Sequence, residues 1–340
     1  MNPKLIKALQ FVIFLFLGLV LLYFAFRGID LNELMLEIKH ADYRWVALSL
    51  LFAVLALVFR AWRWRLLIEP LDEYPKVSHV FHAINIGYLA NFVLPRIGEI
   101  TRCGVLNRTD RIPVGRLIGT VIVERAFDLL MSALLLCLIL LLRFSEVSDF
   151  ITENMIQPAS DKIQGGIGMG WLVAIIVLAT LALILFFRIF RVQLSKISIM
   201  RKIKELMQGI VKGIKSAYRI RNFSLFVALN FMVFGMYFMQ TYVMFFAIES
   251  TSSLGLGDAL FILVLSTLAF IIPVQGAIGA YHWIISMGLT IFGLTRDEGM
   301  VYATISHTVT AILFILLGAM SLIFVWSLGR KTKTVSKPDS

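Results

Sequence analysis

The sequence predicts an all-α polytopic membrane protein, with about six full spans plus two re-entrant hairpins in two inverted repeats. Three observations predict it. Of the 340 residues, 59% are hydrophobic, above the roughly 45–50% of soluble domains, and mean hydropathy is +0.87. Several apolar runs exceed the roughly 18–20 residues that cross a bilayer. Basic and acidic residues fall into separate loop blocks, and the basic blocks mark the cytoplasmic side.

Taken in order, Lys4 and Lys7 precede a first span at about 8–26. No small-residue cleavage site follows it, so it is read as a retained span. Residues 27–44 carry three basic and four acidic groups and look amphipathic. A second span covers about 45–62, with Arg60, Arg63 and Arg65 marking its inner end and Trp62 and Trp64 as interface aromatics. The apolar segment 77–94 stops at Pro95, and 96–116 then holds five basic and two acidic groups. A long helix follows at about 115–142. Residues 144–168, with four acids and one lysine, are assigned to the outside. After a span at 169–187 comes the strongest inside signal, ten basic residues and one acid in 188–222. Ile199, Ile203, Leu206, Ile210 and Ile214 repeat there at helical spacing, as in a basic amphipathic helix lying on anionic headgroups. A span at 223–247, apolar runs at 258–272 and 280–294 around Pro273, and a last span at 300–328 complete the chain. The tail carries Arg330, Lys331, Lys333 and Lys337.

Inside charges flank 77–94 on both sides, so it enters and leaves by one face, as a hairpin with 96–112. Runs 258–272 and 280–294 give a second hairpin or two tilted spans. If both are hairpins, each half reads span, span, hairpin, span, and the odd number of crossings inverts the halves. The tips agree: Leu89-Ala90 leads to Pro95-Arg96-Ile97-Gly98, and Leu268-Ala269 to Pro273-Val274-Gln275-Gly276. Interrupted helices at matching places in inverted repeats are a transporter pattern. The organisation is then 1–143 as first membrane repeat, 144–168 as external loop, 169–328 as second repeat with the basic loop 188–222, and 329–340 as basic cytoplasmic tail. Both termini lie in the cytoplasm of a cell inner membrane.

The formal charge of +11 fits cytoplasmic loops and anionic lipid headgroups, and no nucleic-acid partner is expected. Cys103 and Cys137 have no framework spacing. No His, Cys and acid cluster has zinc spacing, and no Gly-x-Ser-x-Gly elbow or P-loop occurs, so neither cofactor nor metal is expected.

Two polar stretches stand out. In the first, Asn91 precedes the Pro95 break, and Arg96, Glu99 and Arg102 follow at i, i+3, i+6, which on one helix is one face. Arginine suits a phosphate because its planar fork bonds two oxygens. A helix starting after Pro95 also offers free backbone donors to an anion. The alternative is a loop helix whose charges are simply solvated. In the second, Glu124, Arg125 and Asp128 begin roughly 14 Å into the long helix at about 1.5 Å per residue. Ionisable groups at that depth face a bundle interior or cavity. They serve either as a structural ion pair with Arg96 or Arg102, or in a transport path. In the second hairpin Gln275, Gly276, Gly279 and His282 follow Pro273, where small residues permit tight packing or backbone exposure. His282 and His307 read as lone membrane histidines, each more often a hydrogen-bonded structural residue than a proton carrier.

Ala90-Asn91, Leu94-Pro95-Arg96-Ile97-Gly98-Glu99, Arg102, then Glu124-Arg125-Ala126-Phe127-Asp128, then Pro273 and Gly276-Ala277-Ile278-Gly279 resemble the lysylphosphatidylglycerol synthase membrane-domain family, the flippase-like domain proteins. The resemblance covers about 8–328. It implies a membrane region that moves an aminoacylated lipid made by a separate soluble domain. The sequence runs twelve residues past its last span, so that domain and its synthase activity are expected to be missing. The expectation is therefore a transporter with no catalytic residue, moving an anionic, aminoacylated or polyprenyl-phosphate-linked lipid. Arg96, Arg102 and Arg125 would meet its phosphate, and Glu99, Glu124 and Asp128 would balance them. The alternatives are an intramembrane lipid-modifying enzyme with Glu124 or Asp128 as base, and a non-transporting scaffold.

Overall fold

A computed structural model describes residues 3–142, 152, 220–272 and 274–334. Among the described residues there are ten α-helices and no strand. They are α1 (Pro3–Phe26), α2 (Leu31–His40), α3 (Tyr43–Ile68), α4 (Val77–Val93), α5 (Gly98–Asp110), α6 (Val114–Leu142), α7 (Phe223–Phe245), α8 (Leu256–Ala269), α9 (Ala280–Leu289) and α10 (Arg296–Thr334). Four stretches among the described residues are long and apolar enough to cross a membrane: Tyr43–Leu71, Val114–Leu142, Phe223–Phe245 and Arg296–Leu328. The chain is an all-α polytopic membrane protein. The predicted span at 169–187, the external loop 144–168 apart from residue 152, the basic stretch 188–219, Pro273 and the end of the tail lie outside the described residues.

Polar residues start the long helices where the apolar pattern begins. Asp42 caps α3 by accepting from the Arg44 N–H at 2.9 Å. Thr295 and Glu298 form a reciprocal capping box for α10: the Thr295 N–H donates to Glu298 Oε2 at 2.7 Å and the Glu298 N–H to Thr295 Oγ1 at 3.2 Å.

One boundary needs correction. Helix α3 runs on past residue 62 to Ile68, and Arg63 and Trp64 are fully buried rather than interfacial. The Trp64 indole N–H donates to Thr120 Oγ1 at 2.9 Å, which satisfies its polar edge inside the bundle. Trp62, on another side of the helix, remains exposed.

Helices α4 and α5 pack on each other as a helical hairpin. Their backbones come close where Gly87 meets Gly98. A Cβ on Gly98 would overlap the Gly87 carbonyl oxygen and come within 2.7 Å of Asn91 Oδ1. A second pair, α8 and α9, is joined by a turn that includes a 3-10 segment at Gln275–Ala277. The two tips touch. Phe92, at the end of α4, lies over Gly276, where a Cβ would be 2.5 Å from the ring. Gly276 also has φ +56, which favours a residue without a Cβ.

Among the described residues two large apolar cores and a small cluster of Met131, Val233 and Phe234 hold the bundle, and neither large core follows chain order. One joins α3, α4, α5 and α6 to Phe226 and Leu229 of α7. The other joins α8, α9 and α10 to Ala25 of α1, Ile29 and Leu34. Helix α10 also lies along α4, where Phe314 stacks on Tyr88 at 4.6 Å between ring centres. Early and late helices are thus interleaved, which brings charges distant in sequence to one place.

Candidate functional site

That place is the carboxylate of Glu124, which is fully buried. Glu124 lies ten residues into α6, about 15 Å from its start at 1.5 Å per residue. Its Oε1 is 2.9 Å from Arg60, 3.1 Å from Arg63 and 2.9 Å from Arg125, and its Oε2 is 2.8 Å from Arg102. Asp128, one turn on, is 2.7 Å from Arg63 and 3.3 Å from Arg125. Arg60 and Arg63 come from α3, Arg102 from α5, and Arg125 and both acids from α6. One carboxylate therefore ties three helices together.

Neutral groups complete the cluster. Arg63 donates to Asn230 Oδ1 of α7 at 2.7 Å, and Asn230 in turn donates to the Phe226 carbonyl. Arg60 donates to the Tyr88 hydroxyl at 2.8 Å. The Arg102 guanidinium lies 4.2 Å from the centre of the Trp64 ring, a cation–π contact. Exposure rises toward one end. The side chains of Arg63 and Glu124 are 0% exposed, Asp128 19% and Arg125 41%. The cluster thus runs from a buried interior to a partly exposed end at Arg125.

The pairing of Glu124 and Asp128 with arginines follows the sequence expectation, but the arginines are mostly different ones. Arg60 and Arg63, read from sequence as marks of a span end, are central. Their i, i+3 spacing inside a still-apolar stretch was the available signal, together with the lone Asn230 in a later apolar run. Arg102 joins as expected. Arg96 does not. It precedes α5 in a left-handed turn with φ +63, so it does not share a helical face with Glu99 and Arg102. The turn spends Pro95, Arg96 and Ile97 before the helix starts at Gly98, and that rotates Arg96 away. Its guanidinium instead donates to the Ile271 carbonyl of the other hairpin at 2.8 Å. The donors at the start of α5 are also largely taken. The Gly98 N–H goes to Asn91 Oδ1 at 2.7 Å, and the Thr101 N–H to the Ile97 carbonyl at 2.9 Å. Asn91 is therefore a hairpin clasp. Glu99 is half-buried on α5, one turn before Arg102.

A left-handed arginine costs about 1–3 kcal/mol. Arg96→Gly should recover part of that cost while losing the tip-to-tip bond, whereas Arg96→Ala loses the bond and keeps the strain. Thermal melting should therefore rank Arg96→Ala below Arg96→Gly. The reverse order would mean that the turn is not left-handed in solution.

In the second hairpin, Gln275 and His282 are buried, Gly276 is covered by Phe92, and Gly279 packs on the backbone of α1 at Leu21 and Leu22. His282 is not alone. Its ring centre lies 4.9 Å from that of His307 on α10. His307 Nε2 donates to the Gly276 carbonyl at 2.7 Å. These groups form a second polar locus, distinct from the arginine cluster. Among the described residues no group of His, Cys, Asp and Glu could hold a metal ion.

Interleaved apolar helices, two touching hairpin tips and a buried arginine–carboxylate cluster define a multi-pass membrane protein with a charged interior. The chain belongs to the lysylphosphatidylglycerol synthase TM region family, whose match covers residues 8–318. The matched region is the membrane part of that family rather than a soluble catalytic domain. The chain is also similar to the UPF0104 membrane protein MJ1595 of Methanocaldococcus jannaschii, 26% identical over 133 residues. That match spans 38% of this chain and 38% of the relative. No solved structure matches the chain.

Proposed function

We propose that the protein is a flippase-like lipid transporter of a cell inner membrane, moving lipids whose phosphate-bearing headgroup is net anionic. The observation that carries this reading is the charge balance of the buried cluster. Four arginines meet two carboxylates, and Arg60, Arg63 and Arg102 are each under a tenth exposed. Two positive charges are in excess, and one remains if half-buried Glu99 is counted. Uncompensated charge at membrane depth is expensive, and an anionic headgroup would supply the compensation. Four guanidinium nitrogens or N–H groups there, Arg60 Nε, Arg63 Nε, Arg102 Nη2 and Arg125 Nε, have no hydrogen-bond partner among the described residues. The partly exposed end at Arg125 gives such a headgroup an entrance. An apolar groove between α3 and α10, lined by Val46, Leu50, Val309 and Leu313, is suited to acyl chains.

Membership of a lipid-synthase membrane family supports the same reading. An enzymatic role is less well supported, because Glu124 is fully buried among the guanidiniums of Arg60, Arg63, Arg102 and Arg125, out of reach of a substrate proton. The remaining elements of the reading are two inverted repeats with re-entrant hairpins, cytoplasmic termini, and anionic headgroups bound by the basic loop 188–222. Gln275, Gly276, Gly279 and His282 would line the second half of the path.

The test is transbilayer movement in proteoliposomes containing fluorescently labelled phosphatidylglycerol or phosphatidylcholine. Wild type should move the anionic lipid faster, unmodified by mass spectrometry. Arg125→Gln, at the partly exposed end, should reduce that preference with the fold intact. Equal rates for both lipids, or no movement, would remove the reading, and a changed lipid mass would favour the enzyme.

A further inference from the structure

The second polar locus carries an inference of its own. His282 and His307 are separated by 25 positions, on α9 and α10, yet their rings face each other at 4.9 Å and are 5% and 8% exposed as residues. The Gly276 carbonyl can only accept, so the 2.7 Å contact from His307 Nε2 places a proton on that nitrogen. In the neutral ring, Nδ1 is then left to take a further proton. His282 Nδ1 is buried and has no hydrogen-bond partner among the described residues. Two imidazoles side by side thus offer at least one basic nitrogen each.

The surroundings are apolar or uncharged. From α1, Phe26 stands 5.7 Å from the His282 ring. From α9 itself comes Tyr281, 5.2 Å from the His307 ring, whose hydroxyl meets Ser306 of α10 at 3.2 Å. Just past the end of α8, Phe270 lies 6.0 Å from the Tyr281 ring. Tyr302, further along α10, donates to the Thr241 carbonyl. Two cations lie on neighbouring elements and both are turned elsewhere. Arg96 of the first hairpin bonds the Ile271 carbonyl, and Arg296 bonds the carbonyls of Phe24, Ala25 and Arg27. Among the described residues no carboxylate pairs with either histidine.

We propose that His282 and His307 form a one-proton site that couples proton binding to movement of the second hairpin. Like charges this close disfavour double protonation, so the pair takes up one proton and not two. A charged pair without a carboxylate is costly in a dry, apolar pocket. The site is therefore neutral in the packed form. It takes its proton when the pocket hydrates, which requires the contacts at Gly276 and Gly279 to loosen. The His307 bond and the Phe92 contact fall on the same glycine, Gly276, so the site acts on the junction of the two tips. Proton binding stands without the transport reading; its use to drive lipid movement rests on that reading.

The experiment has two readouts on the full-length protein. The first is NMR of protein labelled with nitrogen-15 histidine in phosphatidylglycerol nanodiscs, between about pH 5 and pH 8. The five histidines are assigned with His282→Gln and His307→Gln. The expected result is a coupled titration, one proton for the pair, with each substitution shifting the other ring's curve. Rings that do not titrate, or titrate independently, overturn the site. The second readout is movement of labelled phosphatidylglycerol in vesicles with a pH gradient. The gradient should change the wild-type rate, and both variants should lose that response. A wild type that ignores the gradient while moving lipid, or variants that keep the response, overturn the coupling. A pair that titrates in a protein that moves no lipid removes the transport reading and leaves the proton site.

Discussion

Glu124→Ala is expected to prevent recovery of folded protein. The substitution leaves Arg60, Arg63, Arg102 and Arg125 with Asp128 as the remaining carboxylate of the cluster. Breaking one buried pair by removing a partner costs about 3–5 kcal/mol, because the stranded charge stays desolvated. Here one carboxylate serves four partners, and the total stability of a folded protein is only about 5–15 kcal/mol. Glu124→Gln keeps the shape and should be nearly as damaging. Asp128→Asn should be milder, since that side chain is 19% exposed and water can take over. Size-exclusion profile and tryptophan-monitored melting are the measurements. Trp64 makes the second sensitive to the cluster, because Arg102 lies on its ring. A Glu124→Ala protein melting within about 1 kcal/mol of wild type, an ordinary effect for a point mutant, would show that the cluster is hydrated.

Gly98→Val should be the next most damaging change. Even a Cβ at this position meets the Gly87 carbonyl and Asn91, so α4 and α5 must separate. Overpacking costs about 1–3 kcal/mol when side chains can shift. A backbone carbonyl cannot shift without moving the helix, so the upper end is expected. Separation would also displace Arg102 from Glu124. The contrast is Gly104→Ala on the same helix, where nothing lies within 4 Å. That change should be neutral, or stabilising by up to about 1 kcal/mol through helix propensity. Comparing the two melting curves separates hairpin packing from any general sensitivity of α5. Equal behaviour would mean that the two helices do not touch at Gly87.

Helical, membrane-spanning architecture was legible in sequence because apolar run length is a direct physical requirement of the bilayer. The break at Pro95 and the starts of α6 and α7 were legible for similar local reasons. Glu124 and Asp128 stood out because an acid inside an apolar run has few explanations. Arg60 and Arg63 did not, because they sit beside Trp62, Trp64 and Arg65, and that mixture resembles an interfacial belt. What distinguishes them is a shared partner, Glu124, which is 61 positions from Arg63 and which local pattern cannot supply. The histidine pair is hidden in the same way, by a separation of 25 positions between two helices. Arg96 was misplaced for a different reason. Its spacing to Glu99 assumed a helix already begun, whereas the chain first spends a left-handed residue to turn.

The bond from Arg96 to the Ile271 carbonyl spans 175 positions of chain. Ribosomes extend a chain at about 5–20 residues per second, so Arg96 waits about 9–35 seconds for its acceptor to exist. Asn230, which completes the Arg63 pairing, is also still unmade when α3 enters the membrane. During that interval the first hairpin carries a polar tip and surplus positive charge with no lasting partner. Nascent chains stalled before residue 271 should therefore stay bound to the insertion machinery, and release should coincide with emergence of the second hairpin.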